Sequence, residues 1–200
     1  MPSLRTLPQD LRLFAKYHLV RRSVTYPARE TELGHQLIDY DPVGFAERIL
    51  GYGDRFAVTT LTELSYEGNS YPMLRVSIVP PGAPKKKLLV LSGVHGNEHA
   101  GIVSIPRVLD AMVSEPKAYA HLEVHIITPV NPVGAAENSR YNADGYDINR
   151  DFSLFLTAEA KQVEREFKRV EPDLVLSLHE GPQEGGAFLF ANSFVPEALA

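Results

Sequence analysis

Leu88-Leu89-Val90-Leu91-Ser92-Gly93-Val94-His95-Gly96-Asn97-Glu98-His99-Ala100-Gly101 is the stretch whose reading decides the fold. Leu88 to Leu91 form a short, bounded apolar run, the pattern of a buried strand. Past the stretch, Ile102, Ile105, Leu109 and Met112 recur at three- and four-residue intervals, one face of an amphipathic helix. His95 and Glu98 therefore fall where a strand hands over to a helix, the strand end at which open α/β sheets bind ligands. An imidazole and a carboxylate three residues apart in that turn can grip one cation from the same side. Gly96 lets the backbone bend tightly enough for the two to converge. Taken alone, two fixed residues in a four-residue window more often mark a hydrated surface turn, so the rest of the chain has to decide.

Downstream, the order is strand, long loop, helix, strand. In His121–Val130, Leu122, Val124, Ile126 and Thr128 alternate with Glu123, His125 and Ile127. His121 and His125 share one face there and read as packing or solvated residues, not ligands. A loop follows from Asn131 to about Thr157, unusually long for a compact domain and for that reason a functional candidate. The next helix places Ala160, Val163, Phe167 and Val170 on one side and ends at Pro172. Asp173 to Leu178 is another short apolar strand, ending at His179. Strand–helix–strand alternation implies parallel strands joined by right-handed crossovers.

Upstream, residues 1–39 read as a helical extension and linker. Pro8 can open a helix whose apolar face is Leu7, Leu11, Phe14 and Tyr17 or His18, and residues 25–39 show no period. The compact domain, residues 40–200, starts with Asp41 as a helix cap and Pro42 as first helical residue; Phe45 and Ile49 point inward and Gly51 is the stop. Phe56–Leu64 and Tyr71–Val79 read as strands joined by a turn over Glu67-Gly68-Asn69-Ser70. This hairpin adds antiparallel strands, so the sheet is mixed. Pro80 to Pro84 form a loop.

Bulk properties narrow the function classes. A formal charge of −5 lacks the basic footprint of nucleic-acid binding. Lys85-Lys86-Lys87, the one basic run, reads as a solvated strand edge. With no cysteine, disulfide scaffolds and thiolate metal sites are excluded, and any metal takes nitrogen and oxygen ligands. No apolar stretch approaches the roughly 20 residues of a membrane span. The N-terminus lacks a signal-peptide core, and the expected location is cytoplasmic.

His179 completes the pattern. It stands at the end of its strand as His95 stands at the end of Leu88–Val94. If the two strands are parallel and close, both imidazoles emerge at one sheet edge, with Glu98 joining from the turn. Two histidines and a glutamate with a fourth position open are a catalytic zinc arrangement. The loop between supplies Arg140 and Arg150 among several carboxamides, suited to an anionic substrate because the guanidinium fork matches a carboxylate.

These pieces resemble the zinc carboxypeptidase family and its succinylglutamate desuccinylase/aspartoacylase relatives. The matching elements are His95-Gly96-Asn97-Glu98 after a strand, Asn131-Pro132-Val133-Gly134, Arg140-x-Asn142-x-x-Gly145-x-Asp147-Ile148-Asn149-Arg150-Asp151-Phe152, and Leu178-His179. They occur in the family's order over residues 40–200, and Asp147–Phe152 is the most specific. The resemblance implies a doubly wound, mixed, mainly parallel sheet flanked by helices. It implies one zinc ion held by His95, Glu98 and His179, and Asp147 accepting a hydrogen bond from the second nitrogen of His95. Asn149 and Arg150 would clamp a substrate carboxylate, and Arg140 would face the scissile carbonyl.

Two departures qualify the resemblance. Val133 replaces an aspartate of the family pattern. The family's general base is a glutamate well beyond the last ligand; Glu180, Glu184 and Glu197 lack its context, so no base is assigned. The reading is of a catalytic domain without its C-terminal strands. The expected activity is zinc-dependent hydrolysis of a peptide bond near a free carboxylate. Deacylation of small N-acyl amino acids, or a non-catalytic zinc-containing module that binds peptides, are the alternatives. The expected partner is a peptide or N-acyl amino acid with a free carboxylate, without nucleic acid or membrane.

Overall fold

The computed structural model describes residues 39–84 and 86–180. The amphipathic segment expected over residues 7–18, the linker up to residue 38, and Glu184 and Glu197 lie outside the described residues. Asp41 caps helix α1 (Pro42–Leu50), its carboxylate accepting from the Val43 amide at 3.0 Å. Phe45 and Ile49 are the buried face of α1. Gly51 ends the helix, but with φ −60° it continues into one 3-10 turn, Gly51–Asp54, instead of reversing in a left-handed conformation.

Strands β1 (Ala57–Tyr66) and β2 (Asn69–Ile78) form the expected antiparallel hairpin with a tighter turn. Only Glu67 and Gly68 connect them, at φ 48° and 83°, as a two-residue turn of positive φ matches the twist of a hairpin. Asn69 and Ser70, expected in the turn, instead pair with Tyr66 and Ser65.

The remaining elements are β3 (Lys86–Ser92), α2 (His99–Ser114), β4 (Leu122–Thr128), α3 (Pro132–Ala136), α4 (Ile148–Asp151), α5 (Ala158–Val170) and β5 (Leu174–Leu178). The stretch expected as one long loop after Asn131 thus contains two short helices. The strand order is β1-β2-β4-β3-β5. β4, β3 and β5 run parallel, whereas β2 pairs antiparallel with both β1 and β4. The sheet is mixed, with parallel and antiparallel pairings in equal number.

Side-chain alternation divides β3 between two cores. Val90 packs with Leu74, Val76, Val124 and Ile126 beneath α1 and α2, where Ile49, Ile102, Ile105 and Leu109 meet it. Leu89 and Leu91 face the other way, with Met73, Ile127, Ile148, Ala160 and Val163 beneath α4 and α5. Burial on both faces explains why β3 reads as a continuous apolar run. α2, which leads from β3 to β4, and α5, which leads to β5, cover opposite faces of the sheet, the arrangement in which open α/β sheets bind ligands beyond the carboxyl ends of their strands.

Phe167 does not belong to the buried side of α5: it is 50% exposed, and Glu166 is buried in the core-facing position instead. The reason lies on β2. Arg75 donates through Nη1 to both carboxylate oxygens of Glu166 at 2.9 Å, and Arg169 Nε adds a bond at 2.8 Å. An apolar-periodicity reading has no means of seeing this ion pair. Nearby, His125 is buried as a packing residue, bonded to Ser77 Oγ and Glu123 Oε1 at 2.8 Å each, while His121 is exposed. Lys86 and Lys87 are less idle than a solvated edge: Lys86 Nζ pairs with Asp173 at 2.9 Å, and Lys87 Nζ donates to the Val170 carbonyl at 3.1 Å, closing the end of α5.

Removing one partner of a buried ion pair strands the other charge. Glu166→Ala is expected to lower unfolding free energy by about 3 kcal/mol in urea titration; a loss under about 1 kcal/mol would show that the pair does not hold α5 to the sheet.

Candidate metal centre

β3 and β5 are direct neighbours, and their register pairs Ser92 with Leu178. His179 follows at once and His95 lies three residues past Ser92, so both rings leave the sheet at the same edge. Their ring centres are 4.8 Å apart. Glu98 spans them with one oxygen each: Oε1 is 2.7 Å from His95 Nδ1, and Oε2 is 2.8 Å from His179 Nδ1. Donor atoms from the three residues all lie within 4.8 Å of one another. Bonds of ~2 Å to a divalent ion hold donors about 3–4 Å apart, so small side-chain rotations would close this set on one ion. Two imidazoles and one carboxylate, with no thiolate in the chain, are a donor set that zinc accepts.

The outward nitrogens are also held. His95 Nε2 lies 3.2 Å from Asp147 Oδ1, and His179 Nε2 lies 3.0 Å from Ser177 Oγ. A bond on the far nitrogen fixes the tautomer and ring orientation that a metal-binding histidine needs. Asp147 does more than this. Its side chain caps α4 at the Arg150 amide, and its Oδ2 accepts from Arg140 Nε at 3.1 Å. Arg140 Nη1 is also 3.7 Å from Glu98 Oε1. Asn149 and Arg150 ride on α4 with exposed side chains. The structure thus brings Arg140 and Asp147 into contact with the cluster, and Asn149 and Arg150 lie on the short helix that Asp147 caps.

Backbone packing, invisible to spacing rules, shapes the turn. Gly93, not Gly96, carries the left-handed conformation, at φ 66°. Gly96 is required for a different reason: a Cβ there would sit 1.9 Å from the Gly134 carbonyl carbon and 2.3 Å from the Ala135 nitrogen. The metal-site turn therefore lies flush on α3. His99 Nε2 pins the same junction at 3.0 Å from the Ala135 carbonyl and stacks on Tyr40. Val133 is 2% exposed, so the position that departs from the family pattern is a packing position. Glu180 places its carboxylate on the Ala100 amide at the start of α2 and donates its own amide to Glu98 Oε2 at 3.1 Å.

The electrostatics follow from this mutual pairing. Burial raises the Glu98 carboxyl, but hydrogen bonds from His179 and His95 outweigh it and hold the pKa at about 2. Burial likewise opposes ionisation of Asp147, and His95 with Arg140 brings it to about 2. Burial depresses His95, yet its bonds to Asp147 and Glu98 raise it overall.

Comparison with known proteins identifies the family and the fold. The succinylglutamate desuccinylase/aspartoacylase catalytic domain matches residues 84–200, more than half of the chain. The chain belongs to that family. A probable carboxypeptidase 2 from Trichophyton verrucosum (strain HKI 0517) is 27% identical to this family member over 146 residues, covering 68% of this chain and 28% of its own length. Murein peptide amidase A of Escherichia coli (strain K12) is 32% identical over 103 residues, covering 51% of this chain and 40% of its own. A metallo-carboxypeptidase from Burkholderia cenocepacia shares the fold with a TM-score of 0.65 at 20% identity, over 72% of this chain and 42% of that one. The chain spans less than half the length of each of these three proteins.

His95→Ala and His179→Ala should each strip bound metal from the purified protein, measured by elemental analysis; stoichiometric metal in both variants would refute the ligand set. A second outcome concerns acid stability without metal. Carboxyls lowered in the fold contribute stability that is complete above their unfolded values and lost as pH falls toward about 2. The urea midpoint of the metal-free protein should therefore drop from pH 5 toward about 2, less steeply in Asp147→Asn. Equal slopes would remove Asp147 from the linkage.

Proposed function

We propose that this protein hydrolyses an amide bond next to a free carboxylate, as a carboxypeptidase-type enzyme with zinc held by His95, Glu98 and His179. The observation that carries the reading is the convergence of those three side chains at the carboxyl ends of β3 and β5. The bound ion would supply a water whose pKa falls from ~16 to ~7 and would polarise the scissile carbonyl.

The chain's own residues supply orientation and charge. Asp147 holds the ring of His95 and, by capping α4, sets the direction in which Arg150 leaves that helix. Arg150 offers a substrate carboxylate a planar two-pronged contact that lysine cannot reproduce, and Asn149 adds a carboxamide beside it. Arg140, next to Glu98 and Asp147, is positioned to stabilise charge developing on the carbonyl oxygen. Glu180 is occupied at the amino end of α2, which argues against it as general base.

Deacylation of a small N-acyl amino acid is the second reading, favoured by the family to which the chain belongs. The two relatives above, named as a carboxypeptidase and a murein peptide amidase, favour peptides. Both substrates present a carboxylate beside an amide, so one site serves either. Assays of a C-terminally free peptide and an N-acyl amino acid separate them: cleavage of the acyl amino acid alone overturns the first choice. Zinc and peptide binding without turnover of either would leave a binding module.

Arg150→Lys should weaken substrates with a free carboxylate by about 1–3 kcal/mol in kcat/KM, the range for a charged hydrogen-bond partner, and amidated counterparts much less. Equal loss for both would remove the clamp role.

A further inference from the structure

Arg140 and Asp147, which contact the candidate metal centre, stand on a loop that leads into α4, and that loop must be held for both to keep their places. Asn142, 6% exposed, is the hub of that loop. Its Oδ1 accepts from the Asp144 and Tyr146 amides at 3.1 and 2.8 Å, and its backbone amide donates to the Tyr146 carbonyl at 2.9 Å. Its Nδ2 donates to both oxygens of Glu159, at 3.2 and 3.1 Å.

Glu159 is 1% exposed in the first turn of α5. Burial, with Asp144 and Asp151 nearby, pushes its carboxyl above the ordinary range. A buried carboxyl is costly unless it is hydrogen-bonded, and the Asn142 carboxamide supplies bonds to both of its oxygens. Two residues before Asn142 stands Arg140; one residue after the closed turn stands Asp147. The far end of the loop is tied to the same helix end, since Asp151 accepts from the Leu156 and Thr157 amides and from Thr157 Oγ1.

We propose that Asn142 and Glu159 are positioning residues that fasten the loop to α5 and thereby hold Asp147 against His95 and Arg140 beside Glu98. The pair touches no metal ligand; it acts through Asp147. This inference rests on the metal-centre reading above.

The test compares Asn142→Ala, Glu159→Ala and Glu159→Gln in the full chain, by hydrogen–deuterium exchange and by zinc affinity in competition with a chelator. Both alanine variants should speed exchange over residues 139–152 while β3 and β4 stay protected. Both should weaken zinc by about tenfold, the scale for losing a partner that orients a ligand. Glu159→Gln keeps an acceptor for the Asn142 amide and should restore wild-type behaviour. In an Asp147→Asn background, Glu159→Ala should have no further effect on zinc, because the pathway is already cut. Unchanged loop exchange in both alanine variants, additive losses with Asp147→Asn, or no rescue by Glu159→Gln would each overturn the proposal. Wild-type protein that takes up no zinc would instead refute the metal reading, and loop exchange would then decide the latch by itself.

Discussion

Glu98 is the point on which the structure turns. One carboxylate lies between two imidazoles that leave adjacent parallel strands, with an oxygen given to each. That contact requires β3 and β5 to be neighbours in one register, requires the turn after β3 to stay tight, and requires α2 to begin directly after Glu98. Each requirement has a visible cause: Ser92 pairs with Leu178, Gly93 takes positive φ, and Gly96 allows contact with α3 where no Cβ would fit.

Around that carboxylate the buried polar groups form a chain. Asp147 links His95 to Arg140 and to the start of α4, Asp151 links the loop to Thr157, and Glu159 links it to Asn142. Buried polar groups left without partners cost several kilocalories, whereas a fully satisfied network specifies one arrangement. The precision of a loop-borne site here comes from carboxylates held at helix ends, together with the packing of Ile148 against the sheet.

Much of this was legible in the residues. Local periodicity was enough for α2, for β3 as a buried strand, and for the two strand-end histidines. The family-like order of His95, Glu98 and His179 anticipated a cluster that the folded chain does assemble. What escaped was mostly long-range and polar. The burial of Glu166 in place of Phe167 depends on Arg75, 91 positions away. The Asn142–Glu159 contact carries no periodic signal, and Ser177 behind His179 looks like any strand serine. Gly96 is expected from the sequence to permit a tight bend, whereas in the fold the left-handed residue is Gly93 and Gly96 is needed for its contact with Gly134, which spacing within the turn cannot reveal.

The most direct test of the central claim is X-ray absorption spectroscopy of the zinc-loaded protein. A first coordination sphere of two imidazole nitrogens with carboxylate and water oxygens at about 2.0–2.2 Å, losing one imidazole in His179→Ala, is the predicted result. A sphere with one imidazole or none, or one that His179→Ala leaves unaltered, would mean that the two strand ends do not share an ion.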